Sequence, residues 1–389
     1  SSAASDVYKR QDYCMWDIKY LRRIDLRLLF VIIALMIISL TILSATSYYE
    51  TQEERLLTPL VKGQIQFFLL GWIIFISCAM LDYQKLREWT WILYIGTLFL
   101  LIGLFFTTPI QNVHRWYRVP LLSFAFQPSE YAKLSVVLAL SWYLERKAKE
   151  IHLFLPTLFA SFIALIPFLL IVKQPDLGTA LVLCPITLIM FYFGNVNRFV
   201  FYFSTCLATL ILFFVVGIFL GLFSHETLRP YATYIIRDYQ FERLNPYTHH
   251  QVTAQTAIAL GRGFGRGFRK STFTGRQFLP TPTTDSVFPA FTEEFGMIGA
   301  YILLATYIAL IYLAFQVVAV AKDSFGRFLA GGIAVYLAVH VVVNIGMMSG
   351  CFPITGVPLL LITYGGTSIV STMTALGILQ SIYTRRFMF

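Results

Sequence analysis

Apolar residues run along this chain in long blocks broken by short polar stretches. The blocks cover roughly 26–46, 64–82, 89–107, 130–145, 153–172, 177–194, 198–223, 290–320, 326–349 and 357–382. Most reach about 18 residues or more, the length at which a helix crosses a bilayer's hydrocarbon. They lack the strict alternation of barrel strands, and in lipid only helices or closed barrels satisfy the backbone. The pattern therefore predicts an all-α polytopic membrane protein with about ten transmembrane helices. A long polar loop, about 224–289, separates the seventh from the eighth.

Charge placement orients these spans. Arg22, Arg23, Arg27, Lys85, Arg87, Arg146, Lys147, Lys149, Arg198, Lys322, Arg327, Arg385 and Arg386 all fall in loops on one side, with both termini. The positive-inside rule makes that side cytoplasmic and the 224–289 loop extracytoplasmic. Residues 1–14 differ in composition from the rest of the chain. They read as a scar or a disordered N-terminus, with Met15 as the candidate native start and 15–389 as a single transmembrane domain.

Composition agrees. Hydrophobic residues are 57% of the chain and charged ones 13%, against roughly 25% charged in a soluble domain. Of the five cysteines, Cys78, Cys184 and Cys206 lie inside apolar runs, so they read as small apolar fillers rather than a disulfide framework or metal site. Nothing resembles a nucleotide P-loop or a Ser/His/Asp arrangement, and the basic excess falls in a loop beside the membrane rather than in a nucleic-acid fold.

That loop carries Arg229, Arg237, Arg243, Arg262, Arg266, Arg269, Lys270 and Arg276 against few acids. The excess suggests an anionic partner, substrate or lipid headgroup. Gly261 to Gly267 reads either as backbone N–H groups and arginines offered to phosphate, or as a flexible hinge. Asp285 closes the loop. A carboxylate beside the membrane is partly desolvated and suits a general base; the competing reading is a cap on the helix near Pro289. Glu130 and Lys133 share a helix face at the start of the fourth span, and ionisable groups there mark function or a structural ion pair. Gln127-Pro-Ser-Glu130 echoes Gln174-Pro-Asp176, each placing Pro at a helix start. Arg115-Trp116 reads first as an interfacial anchor. His114, His249 and His250 read as surface or loop histidines.

Taken in order, these motifs resemble the SEDS family (shape, elongation, division and sporulation) over nearly all the chain after Met15. The segments are Arg115-Trp116, Gln127 to Lys133, Gln174 to Thr179, Arg243 to Pro246, Gly261 to Gly267, Leu279 to Asp285, Glu293 to Gly296, Pro353 to Pro358 and Tyr364 to Ser368. Leu81 to Leu86 looks more like the elongation branch (RodA) than the division branch (FtsW). The resemblance implies a peptidoglycan glycosyltransferase in the bacterial cytoplasmic (inner) membrane. Such an enzyme polymerises lipid II on the outer face, with a polyprenyl-pyrophosphate-linked glycan as donor and a class B penicillin-binding protein as partner. It implies Asp285 as catalytic base, although Thr283 replaces the family's histidine and Ser286-Val287 its Phe-Ile. It also maps the family's membrane-cavity residues onto Glu130 and Lys133. Pyrophosphate departure needs positive charge, for which Arg115, Lys133, Arg243, Arg262 and Arg266, with a divalent cation (Mg or Mn), are candidates, and Asp176 is a further candidate substrate contact. The alternatives are a lipid II flippase and a non-enzymatic scaffold.

Overall fold

The structure, a computed structural model, describes residues 22–51, 56–107, 115–119, 124–219, 221–223, 225–232, 241–242, 244–245 and 247–386. The candidate residues His114 and Arg243, and the expected N-terminal scar, lie outside these.

Seven long helices come first: α1 (Leu26–Thr51), α2 (Pro59–Met80), α3 (Tyr83–Gly103), α4 (Pro128–Arg146), α5 (Phe154–Lys173), α6 (Leu177–Gly194) and α7 (Arg198–Phe219). A small antiparallel hairpin, β1 (Tyr117–Val119) and β2 (Phe124–Phe126), precedes α4. The long connection holds α8 (His225–Ala232) and α9 (His249–Gly261), and α10 (Val287–Val320), α11 (Ser324–Met348) and α12 (Gly366–Thr384) complete the chain. The ten predicted spans thus correspond to α1–α7 and α10–α12.

Local chemistry sets the helix starts. Pro59 and Pro128 sit in the first turn of α2 and α4, where a missing N–H costs nothing. Asp82 and Asp176 cap α3 and α6 by accepting backbone N–H groups of Gln84 and Thr179. Asn195, in the left-handed region at φ 49°, ends α6.

Eight of these helices are apolar enough to cross a membrane on composition alone. The other two, α4 and α12, are long enough but carry Ser129, Glu130, Lys133, Ser135 and Ser141, or Thr367, Ser371, Thr372, Gln380 and Ser381, all buried. Other helices surround them: α12 packs on α2, and α4 on α3 and α11. Polar side chains are tolerated at this depth because they face protein, not lipid. By contrast α7 packs on α6 and α5 and leaves most of its side chains exposed.

One boundary differs from expectation. The apolar pattern starts the tenth span at 357, but the helix begins at Gly366. Residues 357–362 are nonetheless largely buried, and their carbonyls are satisfied from other helices. Asn344 donates to Val357 O (2.7 Å), Tyr307 to Leu360 O (2.7 Å) and Ser39 to Ile362 O (2.9 Å). Irregular backbone at membrane depth survives only when protein supplies such partners.

At the end of the bundle where α1 begins and α12 ends, the Leu81–Leu86 segment is bolted down. Arg385 donates to Met80 O at 2.7 Å and pairs with Asp82 at 3.6 Å, while Arg87 bridges Glu145 (2.8 Å) and Asp323 (3.0 Å). These bonds tie α3, α4, α11 and α12 together.

Candidate functional site

Two regions collect the candidate residues. The first lies inside the bundle. Lys133 Nζ is 2.7 Å from Glu130 Oε1, one helical turn earlier on α4, and 2.7 Å from His340 Nε2 on α11. Lys133 is 1% exposed, Glu130 2% and His340 0%. His340 Nδ1 lies 2.9 Å from Tyr336 O, and the Tyr336 ring sits 5.4 Å from the ammonium. Glu130 Oε2 has no hydrogen-bond partner among the described residues.

The start of α4 is fixed by the motif it echoes. Asp176 Oδ2 accepts from Gln127 Nε2 (3.0 Å), Ser129 Oγ (3.3 Å) and Thr179 Oγ1 (2.8 Å). The two Gln-Pro segments are therefore one bonded unit. Arg115 donates to the carbonyls of Gln174 and Pro175, which attaches the hairpin region to the same unit.

The second region is the turn 281–286, just before α10. Ser286 N–H and Thr284 N–H donate to Thr281 O, at 3.2 and 3.1 Å, and Tyr364 N–H donates to Thr283 O at 2.9 Å. His250 Nε2, from α9, lies 2.7 Å from Ser286 Oγ. Asp285 is half-buried within this braced turn. The N-cap position of α10 is Ser286, not Asp285, and it makes no side-chain cap bond.

In the glycine-rich segment, the N–H groups of Arg266 and Gly267 bond to protein carbonyls. Helix α10 is kinked at Gly296 (φ 67°, ψ −167°). In a straight helix Met297 and Ile298 N–H would bond the carbonyls of Glu293 and Glu294. The loop takes all four groups instead. Arg266 and Gly267 N–H donate to Glu293 O and Glu294 O, each at 2.9 Å, and Met297 and Ile298 N–H donate to Arg262 O (2.9 Å) and Gly263 O (3.1 Å). A Cβ on Gly265 would fall 2.1 Å from Glu294 O and one on Gly261 1.9 Å from Thr292 O, so close backbone approach explains these glycines.

The next turn of loop wraps the side chains of the same helix. Glu293, fully buried, accepts from Thr272, Phe273 and Thr274 N–H (3.0, 2.7 and 2.9 Å) and from Thr274 Oγ1 (2.6 Å). Glu294 accepts from Arg269 N–H and from the Tyr49 hydroxyl. Arg269 donates to Ser44 Oγ at 2.8 Å and lies over the Tyr48 ring, so it anchors the loop to α1. Arg262 and Arg266 are exposed.

No three His, Cys, Asp or Glu side chains converge to hold a metal among the described residues. A divalent cation held by one or two carboxylates and a substrate's phosphates needs no such cluster, and no step of the proposed chemistry is routed through one. His340 was missed in the sequence because it lies in an unbroken apolar run. Its signal was its ionisable character in a span, the same argument that flagged Lys133. His250, read as a surface or loop histidine, is partly exposed on α9 and braces the Asp285 turn. Glu293 and Glu294 stood out only as part of the family pattern.

The fold and its interior ion network define a polytopic membrane protein built around a charged centre, with a long loop clasped on one kinked span. The chain belongs to the FtsW/RodA/SpoVE cell cycle protein family, which it matches over residues 24–387. Peptidoglycan glycosyltransferase MrdB of Escherichia coli K12 is 31% identical, covering 96% of both chains. MrdB of Helicobacter pylori is 32% identical over 83% of each. Peptidoglycan glycosyltransferase RodA of Treponema pallidum is 28% identical over 93% of this chain and 98% of its own. Among solved structures, a chain from a peptidoglycan synthase complex that coordinates polymerization and crosslinking superposes with a TM-score of 0.74, at 24% identity, over 94% of this chain and 99% of that one. RodA of Thermus thermophilus gives 0.68 at 23% identity over 94% and 98%. These two establish the shared fold, and the SEDS resemblance read from the motifs holds.

Proposed function

We propose that this chain is a peptidoglycan glycosyltransferase that polymerises lipid II into β-1,4-linked glycan during cell elongation. It works at the outer face of the bacterial inner membrane, with both termini cytoplasmic and a class B penicillin-binding protein as cross-linking partner. Support comes from family membership over nearly the whole chain and from relatives that bear this activity in their names. The observation that carries the chemistry is Asp285: a half-buried carboxylate in a turn held by main-chain bonds to 364 and by His250. A base must be held still at the reacting atom, and this turn provides that.

Asp285 takes the proton from the acceptor's sugar 4-hydroxyl as that oxygen attacks the donor's anomeric carbon. The bond to the polyprenyl pyrophosphate breaks on the opposite face, so an α-linked donor yields a β-linked product. Departing pyrophosphate needs positive charge. Lys133 supplies it from within the bundle, and the exposed Arg262 and Arg266 from the loop. Arg243 joins this set by its place in the family pattern. Arg115 and Asp176 act on structure first: they lock the two Gln-Pro segments so that Glu130 and Lys133 are presented at a fixed depth.

The buried ion network would also suit a translocation path, which keeps a lipid II flippase as the rival reading. Purified protein with its penicillin-binding partner, given labelled lipid II, decides between them. Wild type should make glycan and Asp285→Ala none above background. Wild type that moves lipid II across liposomes without polymerising it would instead establish the flippase.

A further inference from the structure

We propose that His340 is a positioning residue: its neutral imidazole holds the Lys133 ammonium for recognition of the substrate's pyrophosphate. This rests on the glycosyltransferase reading.

An ammonium group has donors only, so Lys133 Nζ at 2.7 Å from His340 Nε2 requires an unprotonated Nε2. The ring proton then sits on Nδ1 and donates to Tyr336 O at 2.9 Å, one turn earlier on α11. That second bond fixes both tautomer and ring orientation, as a partner on the far nitrogen does for histidines elsewhere.

The choice of histidine has a consequence for charge. A long lysine stem inside a bundle tends to snorkel toward water or to lose its proton. Glu130 Oε1 and His340 Nε2 together engage two of the three ammonium protons and keep it in place. His340 does this without adding negative charge. A second carboxylate at that position would make the cluster net negative and repel an anion; a neutral acceptor leaves the Glu130–Lys133 pair balanced. Of the Lys133–Glu130 pair itself, one ammonium proton and Glu130 Oε2 are left without a hydrogen-bond partner among the described residues. That pair suits a phosphate oxygen beside a hydroxyl donor, the chemistry of a sugar pyrophosphate.

The test uses the purified protein with its penicillin-binding partner and labelled lipid II, reading initial polymerisation rates and thermal melting in detergent. His340→Leu removes the acceptor and should lower kcat/KM at least tenfold while the protein still melts cooperatively. His340→Gln offers an amide oxygen at similar reach and should restore most of the rate; His340→Asn, too short to reach Lys133, should not. In a Lys133→Met background, adding His340→Leu should change the residual rate less than twofold, because there is no ammonium left to position. A side chain that only filled space would give losses that multiply. Wild-type rates in His340→Leu, multiplying losses, or equal behaviour of the Gln and Asn variants would each overturn the proposal. Should the Leu variant fail to fold, the contrast between Gln and Asn decides alone. Wild-type protein that makes no glycan would instead refute the glycosyltransferase reading itself, a different result from any of these.

Discussion

Glu130 and Glu293 are both buried early in a helix that starts at the loop-bearing end of the bundle, α4 and α10. Their bonding differs sharply. Glu293 accepts four hydrogen bonds, three from consecutive backbone N–H groups and one from Thr274. Glu130 accepts one, from Lys133, and its second oxygen is unpartnered among the described residues. Buried polar groups are ordinarily satisfied, so each exception needs a reason. The saturated carboxylate is a rivet that holds the loop to the kinked span. The half-satisfied one is the carboxylate that the proposed function gives to the substrate. Burial alone ranks them equal; hydrogen-bond saturation tells the two apart.

The comparison breaks most easily through the interior pair. Glu130→Gln combined with Lys133→Met removes both charges together. Replacing a buried ion pair by neutral groups of similar volume is often neutral or stabilising. The double variant should therefore melt at or above the wild-type temperature, yet lose polymerisation by about 100-fold or more, as for removal of a transition-state charge contact. Unchanged polymerisation would make the pair structural. Glu293→Ala should do the reverse. It orphans three backbone N–H groups and a hydroxyl, of which those of Thr274 are buried, at a cost of about 3 kcal/mol in stability. Activity per folded molecule should fall only a few-fold, checked by normalising rates to the folded fraction from melting curves. Stability that stays at the wild-type value would remove the rivet from the account. The smallest effect is expected on the loop surface. Arg266→Ala should raise the KM for lipid II about two- to fivefold at low salt, with the difference shrinking at high salt because exposed charges are screened. A loss that does not respond to salt would mean that Arg266 works through structure.

Much of this was legible in the sequence because lipid imposes a simple grammar. Ten apolar blocks gave ten long helices, including α4 and α12, whose polar residues take them below a strict hydropathy criterion. Length and order betrayed these two even where composition did not. Residues 357–365 misled because Leu359 to Ile362 is as apolar as any span. The side chains that replace its helical hydrogen bonds, Asn344, Tyr307 and Ser39, lie far away in sequence. The Gly261–Gly267 segment shows the same limit. Its glycines were visible, but a sequence cannot say whether their N–H groups will meet an anion or the carbonyls of Glu293 and Glu294. The likeness of Gln127-Pro-Ser-Glu130 to Gln174-Pro-Asp176 looked like shared helix-start chemistry, and the bonds from Gln127 and Ser129 to Asp176 join the two segments directly. His340 needed only the rule already applied to Lys133, that an ionisable group within a span calls for a partner.

The central claim is that Asp285 is the base of a glycosyl transfer, and the most direct test keeps its shape while removing its basicity. Asp285→Asn, purified with the penicillin-binding partner and given labelled lipid II, should polymerise at least about 100-fold more slowly, the scale of a lost general base. Its affinity for lipid II should stay within about threefold of wild type, because the change touches the reacting proton and not the pyrophosphate contacts. Glycan made by the Asn variant at the wild-type rate would contradict the account.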